Sequence, residues 1–269
     1  MYFLQNNVGF MDIYAKYPNL TPDAINGIVL DRRPFFMTDE EVKEMDLYMD
    51  IHKEDGVCWE SNIIDQIKEN KYGWFDFSKS LIDIGAGAGE YPIFAGFAHS
   101  YAFDPNRKKQ CLIYANMLSF DKMDDIDVFP YAISDKPGVR EFNGWTEDID
   151  MDEWHMGGIR MTEYRTLDSF NFTNVGLIKI DIEGFELFAI RSGIGTIIRN
   201  NYPPLLIETW PDDNIESFMG EDAPIYEARK YTLIRLLQDL GYVLIEDPAF
   251  GDWETKFFIH KTHLNGYTG

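Results

Sequence analysis

The sequence predicts an α/β fold: a mostly parallel sheet of seven strands with helices on both faces and an antiparallel hairpin at the C-terminal end. Three observations predict it. Leu81 to Ile84 is a short apolar run followed by Gly85, Gly87 and Gly89 and then a helix-compatible segment, which reads as strand, tight turn and helix. Leu177 to Ile182 is a second apolar run rich in branched residues, the signature of a central strand. Tyr242–Glu246 and Thr255–His260 are two strand-like runs joined only by Asp247 to Asp252, too short a joint for a helical crossover, so they pair antiparallel.

Residues 1–78 precede this pattern and read as a helical or irregular cover. Thr38 and Glu41 form a capping box, with Val42, Met45 and Met49 on one helical face. Ile63, Ile64 and Ile67 mark a second helix, and Tyr2, Phe3, Phe10, Tyr14 and Tyr17 read as packing aromatics. Residues 79–269 read as one domain.

In the glycine turn, alternate glycines allow positive φ and let a ligand approach without a Cβ in the way. The dinucleotide pattern G-x-G-x-x-G fails here, because its last position falls on Glu90, which would repel a pyrophosphate. Asp83 instead offers a carboxylate to a cationic amino group. Ser100 to Asp104 is the second strand. Asp104, 19 residues beyond Gly85, stands where an acid accepts both hydroxyls of a ribose, and Pro105 and Asn106 end the strand. Cys111, Ala115 and Leu118 suit a buried helix face. Asp127 to Ser134 is the third strand, placed at the sheet edge by Pro130, with Ala132 and Ile133 positioned to flank an adenine ring.

Residues 141–165 read as an irregular insert. Asp148, Asp150 and Asp152 begin like a calcium loop, but Glu153 and Ile159 stand where that loop needs glycine and glutamate, so the stretch is a solvated acidic loop carrying Trp145, Trp154 and His155. In the central strand, alternation places Lys179, Asp181 and, if the strand runs that far, Glu183 on one face. Charges in a buried strand are costly unless paired, and such a cost marks a candidate site. Pro203 to Trp210 is the fifth strand, with Glu208 near its carboxyl end. Leu233, Leu236, Leu237 and Leu240 define a helix stopped by Gly241.

The chain has 269 residues, with 46 acidic against 24 basic and a formal charge of −22, a field that repels nucleic acid and anionic membranes. Cys58 and Cys111 are too few for a disulfide framework, so both are expected reduced in a cytoplasmic setting. The first residues lack the features of a signal peptide, and no apolar run reaches the roughly 18 residues of a membrane span.

Asp83-x-Gly-x-Gly-x-Gly89 at a strand end resembles motif I of the class I S-adenosyl-L-methionine (SAM) methyltransferases. With Asp104-Pro-Asn106, Ala132-Ile-Ser-Asp135, Arg165-Thr-Leu-Asp168 and Lys179-Ile-Asp-Ile-Glu-Gly-Phe-Glu186 followed by Ile207-Glu208, the chain resembles the FkbM-type methyltransferases over about residues 80–210. Asp104 departs from the glutamate frequent in that family, though both carboxylates suit a ribose. The resemblance implies a Rossmann-like methyltransferase fold and O-methyl transfer from SAM to a hydroxyl of a saccharide or other small molecule. It implies a cofactor site of Asp83, Gly85, Ala86, Gly87, Gly89, Asp104, Pro105, Asn106, Ala132, Ile133 and Asp181. Asp181 and Glu183 are the nearest candidates for the base, with Glu208 and His260, ending neighbouring strands, behind them. A divalent ion among Asp181, Glu183 and Glu208 is chemically reasonable, but no metal-specific spacing exists and none is expected. Two other readings remain at this stage: a nicotinamide-dependent oxidoreductase, opposed by Glu90 and the terminal hairpin, and a catalytically silent SAM-binding interaction module, opposed by the intact acids.

Overall fold

The computed structural model describes residues 60–106, 109–110, 113–114, 116–117, 120–142, 160–209, 215, 220–246 and 255–264. The capping box at Thr38, the aromatics before it, Cys58, Cys111 and the acidic residues of the insert lie outside the described residues.

Ten strands are described: β1 (Ser80–Ile84), β2 (His99–Phe103), β3 (Ile126–Phe129), β4 (Ala132–Ile133), β5 (Gly138–Phe142), β6 (Arg160–Arg165), β7 (Val175–Ile180), β8 (Leu205–Glu208), β9 (Tyr242–Ile245) and β10 (Thr255–His260). Five α-helices accompany them: α1 (Ser61–Glu69), α2 (Glu90–Phe94), α3 (Glu186–Ser192), α4 (Ile194–Arg199) and α5 (Ala223–Asp239). Seven strands form one sheet in the order β3-β2-β1-β7-β8-β10-β9. β10 runs antiparallel to both β8 and β9, while β3, β2, β1, β7 and β8 pair in parallel. The mostly parallel sheet and its terminal hairpin are therefore as the sequence predicts.

Period-2 alternation builds a core on each face. Ile82, Ile84, Ile178, Ile180, Leu205 and Ile207 face one way and pack with Leu187 and Ile190 of α3, Ile197 of α4 and Leu233 and Leu237 of α5. Leu81, Leu177, Leu206 and Phe257 face the other way and pack with Ile63, Ile64 and Ile67 of α1. The isoleucines read as a helix face are thus a helix face, and they seat α1 in the same core as the strands after residue 79.

Two local readings are corrected. The stretch from Asp127 to Ser134 is not one strand. Pro130 sits between β3 and β4, and having no N–H it cannot extend the ladder. β3 is the sheet edge, as expected, but Ala132 and Ile133 leave for a second, three-stranded sheet of order β4-β6-β5. That sheet also corrects the margins of the insert: Arg160–Arg165 is regular strand, antiparallel to Gly138–Phe142 and parallel to β4. Its outward side chains, among them Met161 at 66% exposure, leave it without the apolar alternation that marks a half-buried strand.

Candidate active site

The carboxyl ends of β1, β7 and β8 lie side by side, and each delivers acids. Asp83 of β1 stands in register with Lys179 of β7, so both side chains point to the face covered by α1 and α2. The Lys179 Nζ lies 3.1 Å from Asp181 Oδ2 and 3.6 Å from Asp83 Oδ1, and it donates to the Gly85 carbonyl at 3.2 Å. It also sits 5.2 Å from the centre of the Tyr91 ring. Burial works against the lysine's charge, but Asp181, Asp83 and Glu60 overcome it and push its pKa above the ordinary range. Asp83 is fully enclosed; burial raises its carboxyl to about 7 against the pull of Lys179. The cation that this structure places beside Asp83 is Lys179.

The glycine turn does two jobs. Gly85, at φ +83°, lets β1 pass the backbone of β7: a Cβ there would sit 1.7 Å from the Asp181 carbonyl oxygen. Gly87, at φ +57°, has among the described residues only the Glu90 carboxylate, at 3.9 Å, near the place of a Cβ, so these residues leave the space above it open. Its N–H donates to Asp104 Oδ2 at 3.1 Å, while the Asn106 N–H donates to Asp104 Oδ1 at 2.8 Å. Asp104 thus ties the turn to the end of β2. Burial raises its carboxyl, with the Lys109 charge and these two bonds opposing. Gln110 Nε2 donates to the Asp104 carbonyl at 2.6 Å, fixing the chain after Pro105. The Asn106 side chain is buried. Ala88, inside the turn, accepts from Asn116 Nδ2 at its carbonyl, and Ala86 packs against Ile113 and Met117. Ala132 and Ile133 are buried, and the Ile133 side chain joins the core.

β7 ends at Ile180, short of Glu183. Glu183 reaches the site through a turn in which it adopts φ +55° and Gly184 φ +92°. A glutamate held in the left-handed region costs on the order of 1–2 kcal/mol. Glu186 holds the turn: its Oε1 accepts from the N–H of Ile182 at 3.1 Å and of Gly184 at 3.0 Å. The result is a cluster in which carboxylate oxygens of Asp181, Glu183 and Glu208 all lie within 4.8 Å of one another, an arrangement able to take a hard divalent cation or to accept a proton. Burial, and then the charges of Asp181 and Glu183, push the Glu208 carboxyl well up. For Asp181, whose side chain is 36% exposed, burial also raises the carboxyl, but Lys179 and bonds from Glu208 and Lys179 more than offset it and hold it below the ordinary range. Burial and its neighbours thus move the two carboxyls in opposite directions, Glu208 up and Asp181 down.

His260 is not in this cluster. β10 is antiparallel, so the strand's beginning, not its end, lies at the acidic edge: Thr255 pairs with Glu208 and Phe258 with Leu205. His260 stands at the opposite edge, stacked on Tyr202 at 4.1 Å and bonded through Nδ1 to Thr262. Two further residues at the site were not assigned a role from the sequence. Glu60, ahead of α1, accepts from Thr255 Oγ1 at 2.7 Å, and Glu186 holds the Glu183 turn. The signal for Glu186 was its place in the Lys179–Glu186 block; for Glu60 the sequence held none.

A Methyltransferase FkbM domain matches residues 73–244. The chain belongs to the FkbM methyltransferase family. The FkbM methyltransferase of Methylobacillus flagellatus KT is 15% identical, with 92% of this chain and 60% of that one covered and a TM-score of 0.44, so this chain spans less than two thirds of its length. An O-methyltransferase from Bacillus cereus, solved in complex with SAH, is 10% identical over 88% of this chain and 94% of that one, with a TM-score of 0.43. A ribosomal protein L11 methylase from Lactobacillus delbrueckii subsp. bulgaricus is 12% identical over 75% of this chain and 78% of that one, with a TM-score of 0.44. No curated protein matches the chain. Among the described residues of this FkbM-family chain, no helix is long and apolar enough to cross a membrane.

The FkbM signature block also carries a pH dependence. Burial raises the Glu186 carboxyl from 4.5 to about 7, against the pull of its backbone bonds. A raised folded-state pKa means the native state binds the extra proton between those values. The contribution is then whole below about 4.5 and is lost as pH rises through 7. Glu186→Gln keeps an acceptor for Ile182 and Gly184 but cannot ionise. Its melting temperature is expected to change less than that of the wild type between pH 5 and 8. Equal slopes in a calorimetric pH series would show that Glu186 does not titrate in this window.

Proposed function

We propose that this FkbM-family methyltransferase is a cytoplasmic enzyme that transfers a methyl group from SAM to a hydroxyl of a saccharide or other small molecule. The observation that carries the reading is the juxtaposition of an open glycine turn, tied at Gly87 to Asp104, with the Asp181–Glu183–Glu208 cluster at the next strand ends. These residues fit the donor. Asp104 retains lone pairs beyond its two backbone bonds for ribose hydroxyls, the space over Gly87 admits a ligand, and the acids suit a cation. Bound there, the donor supplies a methyl already activated on a sulfonium.

The chain's own work is alignment and proton acceptance. The turn from Gly85 to Gly89, with Ala86, would hold the donor, Asp104 to Asn106 its ribose, and the backbone at Ala132 and Ile133 its adenine. Asp181 and Glu183 are the candidates to take the hydroxyl proton: both lie in the acidic cluster, and, against burial, Lys179 holds the Asp181 carboxyl low.

Thermal shift with SAM and with NAD tests the donor, and a panel of sugars and nucleotide sugars with labelled SAM tests transfer. Stabilisation by NAD alone would move the reading to an oxidoreductase, and SAM binding without transfer to any acceptor would favour the silent module. Asp104→Ala removes acceptors for ribose hydroxyls at roughly 1.5–3 kcal/mol each, and it also frees the Gly87 N–H. Calorimetry is expected to show SAM affinity reduced at least about tenfold, and an unchanged affinity would rule out ribose recognition by Asp104.

A further inference from the structure

Glu60 is built into the site at a cost that its own helix does not explain. It stands just before α1 with φ 55° and makes no side-chain cap to that helix. A glutamate in the left-handed region is disfavoured, and a carboxylate turned inward loses water. The side chain instead reaches a strand 195 residues away, where Thr255 Oγ1 donates to its Oε1 at 2.7 Å. Thr255 is the β10 residue paired with Glu208, so this bond fixes the carboxylate at the acidic edge of the sheet. There Glu60 lies beside Tyr91 and within electrostatic reach of Lys179 and Asp181. The Lys179 ammonium is the cation at the centre of this group, held at 3.1 Å by Asp181 and 3.6 Å by Asp83. Lys179 links Asp83 of β1 to Asp181 just beyond β7, yet its charge opposes any cation placed at the same strand ends.

We propose that Glu60 is a charge-positioning residue of the donor site: held by Thr255, its carboxylate offsets the Lys179 ammonium, so that the strand ends keep the negative charge that a sulfonium ligand requires. The inference rests on the donor reading given above. It separates charge from shape, because SAM and its demethylated product SAH differ only in the methyl group and the positive charge. Sinefungin, with an ammonium in place of the methylsulfonium, supplies a second cation.

The experiment is calorimetric titration of the full chain with SAM, sinefungin and SAH at about pH 8, well above the ordinary carboxylate range from which burial raises Glu60. Glu60→Gln keeps an acceptor for Thr255 and loses only the charge. It is expected to weaken SAM and sinefungin about three- to tenfold while SAH changes less than about twofold. The selectivity is expected to shrink between about 0.05 M and 0.5 M salt. Thr255→Val releases the carboxylate without removing it and is expected to show the same selectivity at a smaller size. A melting curve on each variant confirms the fold. Equal weakening of all three ligands in both variants, or no weakening of any, overturns the proposal. Failure of the wild type to bind any of the three overturns the donor reading, and this inference with it.

Discussion

Replacing Glu183 by glutamine is expected to leave SAM affinity near the wild-type value and to cut turnover by about 10²–10⁴-fold, the span a positioned general base contributes. The amide matches the carboxylate in shape and cannot take the hydroxyl proton. The backbone argument supports the choice: the chain bears a left-handed glutamate at φ 55° where glycine would be unstrained, and Glu186 clamps the turn on both sides of it. Strain kept at one non-glycine position is the pattern of a residue required for its side chain. Asp181→Asn is expected to harm binding as well, because Asp181 is the closest acid to Lys179 and its loss leaves that ammonium with Asp83 and Glu60. Turnover with an acceptor found in the panel, with calorimetry alongside, reads both. If EDTA abolishes activity and magnesium or manganese restores it, the three acids act first as ligands. Full turnover of Glu183→Gln without metal would move the base to Asp181 or Glu208, or leave alignment as the mechanism, since His260 lies at the other edge of the sheet.

The sheet was legible because its strands carry the information locally. Leu81–Ile84, Leu177–Ile180 and Leu205–Ile207 are continuous buried runs, and only strands covered on both faces read that way. The short joint after Glu246 forces an antiparallel turn whatever the rest of the fold. The same antiparallel turn explains the error at His260. A strand-end position in the sequence marks the catalytic edge only when the strand is parallel to its neighbours, and β10 reverses the rule, bringing Thr255 to the edge instead. Alternation placed Lys179 and Asp181 together, but it could not supply Glu183, which arrives by a left-handed turn beyond the strand. For Asp83 the motif gives position without depth; its complete burial opposite Lys179 depends on α1 and α2 closing that face. Glu60 was invisible for a related reason. Its partner Thr255 is 195 residues away, and a contact that long leaves no trace in spacing.

Two glycines of the same turn are expected to fail in different ways when substituted. Gly85→Ala is expected to fail in folding. Its Cβ would fall 1.7 Å from the Asp181 carbonyl oxygen and 2.8 Å from the Asp181 carbonyl carbon, both backbone atoms that cannot swing aside. Relief requires parting β1 from β7, whose pairing runs through Ile84 and Ile180 and continues in the Asp181 N–H bond to the Ile84 carbonyl. A left-handed φ of +83° adds its own strain. The sum belongs with the severe core substitutions, above about 4 kcal/mol, a fall in melting temperature of roughly 8–16 °C for a domain of this size. Gly87→Val is expected to fail in binding. Among the described residues the nearest atom to its Cβ is the end of the Glu90 side chain at 3.9 Å, so they leave room for it. The cost is the φ of +57°, about 1–2 kcal/mol, and the melting temperature should fall by only a few degrees. The branched side chain would then occupy the space above the turn, beside the N–H that holds Asp104, and SAM binding should vanish from the calorimetric trace. Wild-type affinity in Gly87→Val would falsify contact between the turn and the donor. Wild-type melting in Gly85→Ala would mean that β1 and β7 do not approach at Asp181 as closely as the fold requires.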